Sequence, residues 1–142
     1  MIELRDHVPP ERLDQLMELF AGQWWTAGRD RESVQAMLRG SDLVFALIDT
    51  GIDRLVGFAR VITDGIYLAM VLDVIVSEKR RAAGLGRALL EAIVNHQTVA
   101  AVHSVELVCQ PNLVPFYRRW GFTDQVGHSR LMRRTSDPAL IS

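Results

Sequence analysis

The most chemically informative stretch of the chain is Val74-Ile75-Val76-Ser77-Glu78-Lys79-Arg80-Arg81-Ala82-Ala83-Gly84-Leu85-Gly86-Arg87-Ala88-Leu89-Leu90. An apolar run that reads as a buried strand enters a turn with two glycines, and an amphipathic helix starts on them. Glycine lets the main chain come close to a ligand, and the first N–H groups of a helix lack intrahelical acceptors. Such a turn can therefore hold a phosphate or pyrophosphate. Lys79, Arg80, Arg81 and Arg87 add positive charge beside it. The plainer alternative is a helix start with a solvated basic loop. A P-loop is excluded, because no Lys-Ser or Lys-Thr pair follows the glycines. A dinucleotide fingerprint needs Gly or Ala where this chain has Leu89, and its acid would be Glu106, inside an expected strand and not at its end.

Two further residues stand out by type and place. Asp73 interrupts Leu68-Ala-Met-Val-Leu-Asp-Val-Ile-Val, and a carboxylate is costly to bury alone, so it needs a partner or a task. Arg60 is the obvious partner. Tyr117 shares an i, i+3, i+4, i+7 stripe with Leu113, Phe116 and Trp120, which by itself reads as core. Asn112, just before that stripe, has the residue type of a helix N-cap. Cys109 reads as a small buried strand residue and, as the single cysteine, forms no disulfide within the chain. Asp64-Gly65 is a tight-turn sequence. His7, His96, His103 and His128 have no mutual spacing for a metal, and none is expected.

These residues must be positioned by one domain, residues 1–142. The chain has 142 residues, 49% of them hydrophobic, enough for one core and too few for two full domains. Sixteen basic against seventeen acidic residues leave a formal charge of -1, so no net field draws the molecule onto nucleic acid or an anionic membrane. The N-terminus does not read as a secretory signal, and a cytoplasmic protein without membrane association is expected.

Ile2 and Leu4 alternate with polar neighbours as in a short strand. Leu13, Leu16, Met17 and Phe20 mark a helix, and Asp30 is placed to cap a second one that Gly40 ends. Leu43–Ile48, Leu55–Ile62 and Ile66–Val76 read as strands joined by hairpins. The glycine turn then opens a helix whose Leu85, Leu89, Leu90, Ile93 and Val94 cover the sheet. Val105–Cys109 is a strand, Leu113–Trp120 a short helix, and strands near Phe122 and Leu131 are expected to finish the sheet. The expected fold is a mixed α/β domain of order βααβββαβαββ, with six or seven strands and about four helices.

The glycine turn resembles motif A of the GNAT superfamily of acetyl-CoA-dependent N-acetyltransferases, here Arg81-Ala-Ala-Gly84-Leu-Gly86. It departs from many members at Ala82 and Glu78, where they have glycine and proline. Asn112-Leu-Val-Pro-Phe116-Tyr117-Arg-Arg-Trp-Gly121-Phe122 resembles the family's later motif. Gly57-Phe-Ala-Arg60 and Asp73-Val-Ile-Val are similar to a bacterial and plastid group that includes plant serotonin and lysine acetyltransferases. The resemblance implies that main-chain groups of Arg81, Ala82, Ala83, Gly84, Leu85, Gly86 and Arg87 hold the pyrophosphate of coenzyme A. It further implies that Val74, Ile75 and Val76 pair with the pantetheine arm, and that Asn112 and Phe116 complete the coenzyme site.

The implied chemistry is attack of a primary amine on the thioester of acetyl-CoA. An amine with a pKa of about 10.4 is almost all ammonium at pH 7 and must lose a proton first. The resemblance makes Tyr117 the general acid for the departing thiolate. Asp73 is the first choice for the base, directly or through water, unless its task is an ion pair with Arg60. Trp24 and Trp25 fall in the loop that commonly helps form the acceptor site. A bent loop buries both, or one of them lines a pocket that with Tyr67 would favour an aromatic or aliphatic amine. A homodimer is common in the family and is expected here. Two other readings compete: a non-catalytic acyl-CoA sensor on the same fold, and a nucleic-acid-binding domain using the arginines at 80, 81, 118, 119, 133 and 134. The near-neutral charge weakens the second, and salt-sensitive binding to DNA or RNA would revive it.

Overall fold

The computed structural model describes residues 1–141, with Arg81 and Ala82 described by their main chain alone. Strands β1 (Ile2–Arg5), β2 (Leu43–Asp49), β3 (Arg54–Thr63), β4 (Leu68–Val76) and β5 (Ser104–Leu107) form one sheet in that spatial order. Neighbours are antiparallel from β1 to β4, and β5 runs parallel to β4. The parallel pair requires a crossover, which helices α3 (Leu85–Asn95) and α4 (Gln97–Ala101) supply.

Alternation along the strands creates two cores. Phe45 and Leu47 of β2 face α3, where they meet Leu85, Leu89, Leu90, Ile93 and Tyr117. Ala46 and Ile48 face the other side, where helices α1 (Leu13–Ala21) and α2 (Arg31–Gly40) bury Leu13, Leu16, Phe20 and Val34 against Phe58 and Ile75. Asp30 caps α2 as expected, its Oδ1 accepting the Ser33 N–H at 2.7 Å. Asp64 is the turn residue its Asp-Gly sequence predicts: its Oδ1 accepts the N–H groups of Ile66, Tyr67 and Leu68.

The single domain and the mixed sheet agree with expectation, while the counts do not. The sheet has five strands, and five α-helices are present among the described residues. The helix after the glycine turn breaks at His96, whose extended backbone ends α3 and whose Nδ1 accepts the Thr98 N–H to start α4. No strand forms near Phe122 or Leu131. After helix α5 (Val114–Arg118), Gly121 and Gly127 take left-handed φ values of 86° and 70° and turn the chain twice. Phe122 turns inward onto the α3-side core, whereas Leu131 and Met132 lie exposed, so no strand-like alternation is maintained. β5 therefore remains the sheet edge.

Candidate active site

The site begins where β4 changes character. Leu68–Val71 pair with Ser104–Leu107 of β5, and there the pairing stops while β4 continues to Val76. On its other edge the register with β3 jumps: Phe58 faces Ile75 but Arg60 faces Leu72, so β4 carries one extra residue. That is a bulge, which bends its strand. Asp73 occupies it with a φ of 56°, a conformation costly for any residue with a Cβ. The consequence is an open edge along residues 72–76, where main-chain groups have lost β5 and can pair with an extended ligand as a strand would.

The open edge runs straight into the glycine turn. Ser77 N–H bonds the Val56 carbonyl at 2.8 Å, and a 3-10 turn over Glu78–Ala83 leads to Gly84. Gly84 has a φ of 76° with nothing near an added Cβ, so conformation and not space requires glycine there. At Gly86 the space is tight: an added Cβ would lie 3.2 Å from the Phe116 ring, which seats α5 against the first turn of α3, so the ring would have to give way by a few tenths of an ångström. Arg80 reaches back to the buried carboxylate of Asp49 at 2.5 Å and ties the turn to the end of β2. Arg87 is engaged by Glu91 on its own helix. The side chains of Arg81 and Ala82 lie outside the described residues.

α5 supplies the third part. Tyr117 is buried, with Phe116 and Phe122 packed edge-on against its ring. Burial, reinforced by the neighbouring Cys109, pushes its hydroxyl up to about 12. The hydroxyl makes no hydrogen bond among the described residues, yet no side-chain nitrogen or oxygen sealed from solvent lacks a partner, so it opens onto accessible space. The bonded hydroxyl of an ordinary core tyrosine is not what is found. Burial and Asp124 likewise push the Cys109 thiol up, which keeps it protonated and unreactive at neutral pH. Asn112 caps no helix, correcting one of its two expected roles; it is exposed and its amide has no partner among the described residues.

Across the sheet, on the α1 and α2 side, the Asp73 side chain is 4% exposed and bears two guanidinium groups. Arg60 Nε donates to its Oδ2 at 2.7 Å, as the ion-pair alternative anticipated. Arg29 adds a fork, Nη1 to Oδ2 at 2.7 Å and Nη2 to Oδ1 at 3.0 Å. Burial alone would raise the Asp73 carboxyl, but the hydrogen bonds and charge of Arg29 and Arg60 outweigh it and hold the group below the ordinary carboxylate value. Arg29 escaped the sequence reading because it lies 44 residues from its partner. The buried Asp49–Arg80 pair escaped it for the same reason.

Arg29 ends the loop between α1 and α2. Thr26, fully buried, donates from Oγ1 to the Phe20 carbonyl at 2.6 Å and folds this loop, and the Arg29 guanidinium then stacks 4.8 Å above the Phe20 ring. The two tryptophans part company: Trp25 packs on the α1 core, while Trp24 is exposed against its edge. Tyr67 does not join them. It packs edge-on against His103 at the opposite end of β4, six residues and roughly 20 Å of strand from Asp73.

The unpaired end of β4 beyond Val71, the glycine turn that follows it and the buried Tyr117, packed on the same α3-side core as Val74 and Val76, are thus gathered in one region. The chain belongs to the GNAT acetyltransferase family: the family's acetyltransferase domain matches residues 13–133. GCN5-related N-acetyltransferase 1 of Arabidopsis thaliana, a chloroplastic protein, is 31% identical over 78% of this chain and 55% of its own length. Serotonin N-acetyltransferase 2 of Oryza sativa subsp. japonica, also chloroplastic, is 34% identical over 66% of this chain and 48% of its own. The chain thus spans about half the length of these two relatives. A GNAT-family structure from Xanthomonas campestris pv. campestris superposes with a TM-score of 0.81 and 28% identity, over 100% of this chain and 97% of that one. Among the described residues no helix is long and apolar enough to cross a membrane.

Proposed function

We propose that this chain is an N-acetyltransferase that moves the acetyl group of acetyl-CoA, its co-substrate, to a primary amine. The observation that carries the reading is the open edge of β4 over residues 72–76, which leads directly into the Gly84 turn. Along that edge Val74, Ile75 and Val76 offer main-chain groups to the pantetheine arm. The turn from Arg81 to Arg87 offers amide N–H groups to the pyrophosphate, Phe116 packs against it at Gly86, and Asn112 is assigned to the coenzyme with it.

In this reading the amine nitrogen attacks the thioester carbonyl carbon, and the carbonyl oxygen takes negative charge. A β4 amide freed by the bulge donates to it. As the carbon–sulfur bond breaks, Tyr117 donates its proton toward the departing thiolate. A hydroxyl pushed up to about 12 still carries that proton throughout the neutral range. Asp73 is assigned to the ion pair and not to proton abstraction. A general base works best with a pKa near the working pH, and two arginines hold this carboxyl on the far side of the ordinary value. The amine proton leaves to water. A homodimer fits the exposed Val126, Leu131 and Met132 of the C-terminal segment.

The test is calorimetric titration with acetyl-CoA, followed by thiol release across a panel of amines that includes serotonin, the acceptor in the name of the rice relative. Saturable binding with amine-dependent thiol release is expected. Binding without release for any amine would favour the sensor reading, and absence of binding would reduce Gly84 and Gly86 to a helix start.

A further inference from the structure

Resting on the proposed transfer to an amine, we propose that the acceptor also carries an anionic group, a carboxylate or a phosphate, which the Arg29–Asp73–Arg60 cluster recognises through the unused edge of Arg60. The cluster holds two cations and one anion, so it retains one positive charge. Charge alone would be unremarkable at a surface, but the Arg60 side chain is only 14% exposed, and a guanidinium held out of water seeks full pairing. Its Nε is committed to Asp73, while Nη1 and Nη2 donate to nothing among the described residues. Neither nitrogen is sealed from solvent. The guanidinium therefore presents a fixed two-pronged edge, the geometry that takes a carboxylate or phosphate with two parallel hydrogen bonds.

Position makes this an acceptor feature. Arg60 stands opposite Leu72, next to the bulge that opens β4, and Arg29 comes from the loop that carries Trp24. Beyond Arg60 on the same face of β3, Ile62 is exposed, and its partner Met70 on β4 is half-buried. An amine whose body rests on this apolar strip and whose anion meets Arg60 would stand beside the open edge. Asp73 supports the arrangement as a positioning residue: it orients Arg60 through Nε and leaves the outer edge clear.

The experiment compares matched amines that differ only in the anion: 5-hydroxytryptophan with serotonin, phenylalanine with phenethylamine, and phosphoethanolamine with ethanolamine. Binding to the protein saturated with coenzyme A is measured by titration, so that no turnover is needed, and kcat/KM with acetyl-CoA is measured beside it. We expect the anionic member of at least one pair to bind tenfold tighter or more, the carboxylate and phosphate pairs distinguishing the source of the charge. In Arg60→Gln that ratio should fall to near one, and Arg60→Lys should restore only part of it. Because the ratio is taken within one variant, a general loss of folded protein cancels. Equal binding within every pair, tighter binding of the uncharged partners or no binding by any anionic amine would overturn the inference. So would a tenfold loss of coenzyme affinity in Arg60→Gln, which would give the unused edge to the coenzyme. Failure of the acetyltransfer reading shows separately, as absence of thiol release with every amine.

Discussion

The two sides of β4 are built on different principles. The edge proposed for the coenzyme is main chain: an unpaired strand, a turn whose Gly84 has a φ of 76°, and an α3 start packed tightly against Phe116 at Gly86. The face proposed for the acceptor is side chain: one carboxylate 4% exposed, two arginines, and a tryptophan loop folded by Thr26. Backbone recognition tolerates varied side chains but demands glycine at particular places. Side-chain recognition demands particular charges but leaves their spacing in sequence free.

The largest effect should come from the side-chain half. Asp73→Ala leaves Arg29 and Arg60 facing each other with no anion between them, and breaking a buried pair by removing one partner costs about 3–5 kcal/mol. The expected drop in Tm is roughly 10–15 °C by thermal denaturation. The pH dependence has a definite sign. With the folded-state carboxyl held below its ordinary value, its contribution is present above the unfolded value near 3.8 and is lost as pH falls through the lower folded value. The stability gap between the native protein and Asp73→Asn should therefore close in acid. A gap that stayed constant to pH 2 would mean that Asp73 is not charged in the fold.

Tyr117→Phe should lower kcat by about a hundredfold, the lower end of what a positioned acid contributes, without changing acetyl-CoA affinity. Because burial pushes the hydroxyl up to about 12, kcat should show no tyrosine limb between pH 7 and 10. An unchanged kcat would return Tyr117 to the core stripe with Phe116 and Trp120. Gly84→Ala tests the main-chain half alone. Forcing a Cβ into the left-handed region costs about 1–2 kcal/mol, so acetyl-CoA affinity should weaken by roughly five- to thirtyfold while the charge preference among acceptors persists. A shift in that preference would break the separation of the two sides.

The same division decides what could be read from the sequence. The glycine turn is legible because its requirements are local: Gly84 takes a left-handed φ and Gly86 lies against Phe116. Strands and helices with clean periodicity, such as β3 and α3, were legible for a similar reason: burial on a defined face dictates residue type. Arg29 was not, since a loop arginine 44 residues from Asp73 has no periodic signal. The missing C-terminal strands teach the converse. Phe122 and Leu131 have strand-forming side chains, but left-handed glycines at 121 and 127 turn the chain before pairing can begin. Local preference was read correctly there and the tertiary outcome was not.

The smallest predicted effect sharpens the comparison, because it concerns a side-chain device that serves the main-chain half. Arg80 meets Asp49 at 2.5 Å, and Asp49 also accepts the Gly51 N–H at 2.9 Å, so the end of β2 holds the turn that precedes Gly84. Asp49 touches no part of the open edge itself. Asp49→Asn keeps the shape and the hydrogen-bond acceptor but removes the charge that draws Arg80 in. The turn would then sample more conformations, and ordering it would weigh on coenzyme binding alone. A rise of about five- to tenfold in KM for acetyl-CoA is expected, with kcat and the KM for the amine little changed. Steady-state kinetics with both substrates varied distinguishes this from a general loss of stability, which would lower the active fraction and so reduce apparent kcat without moving either KM.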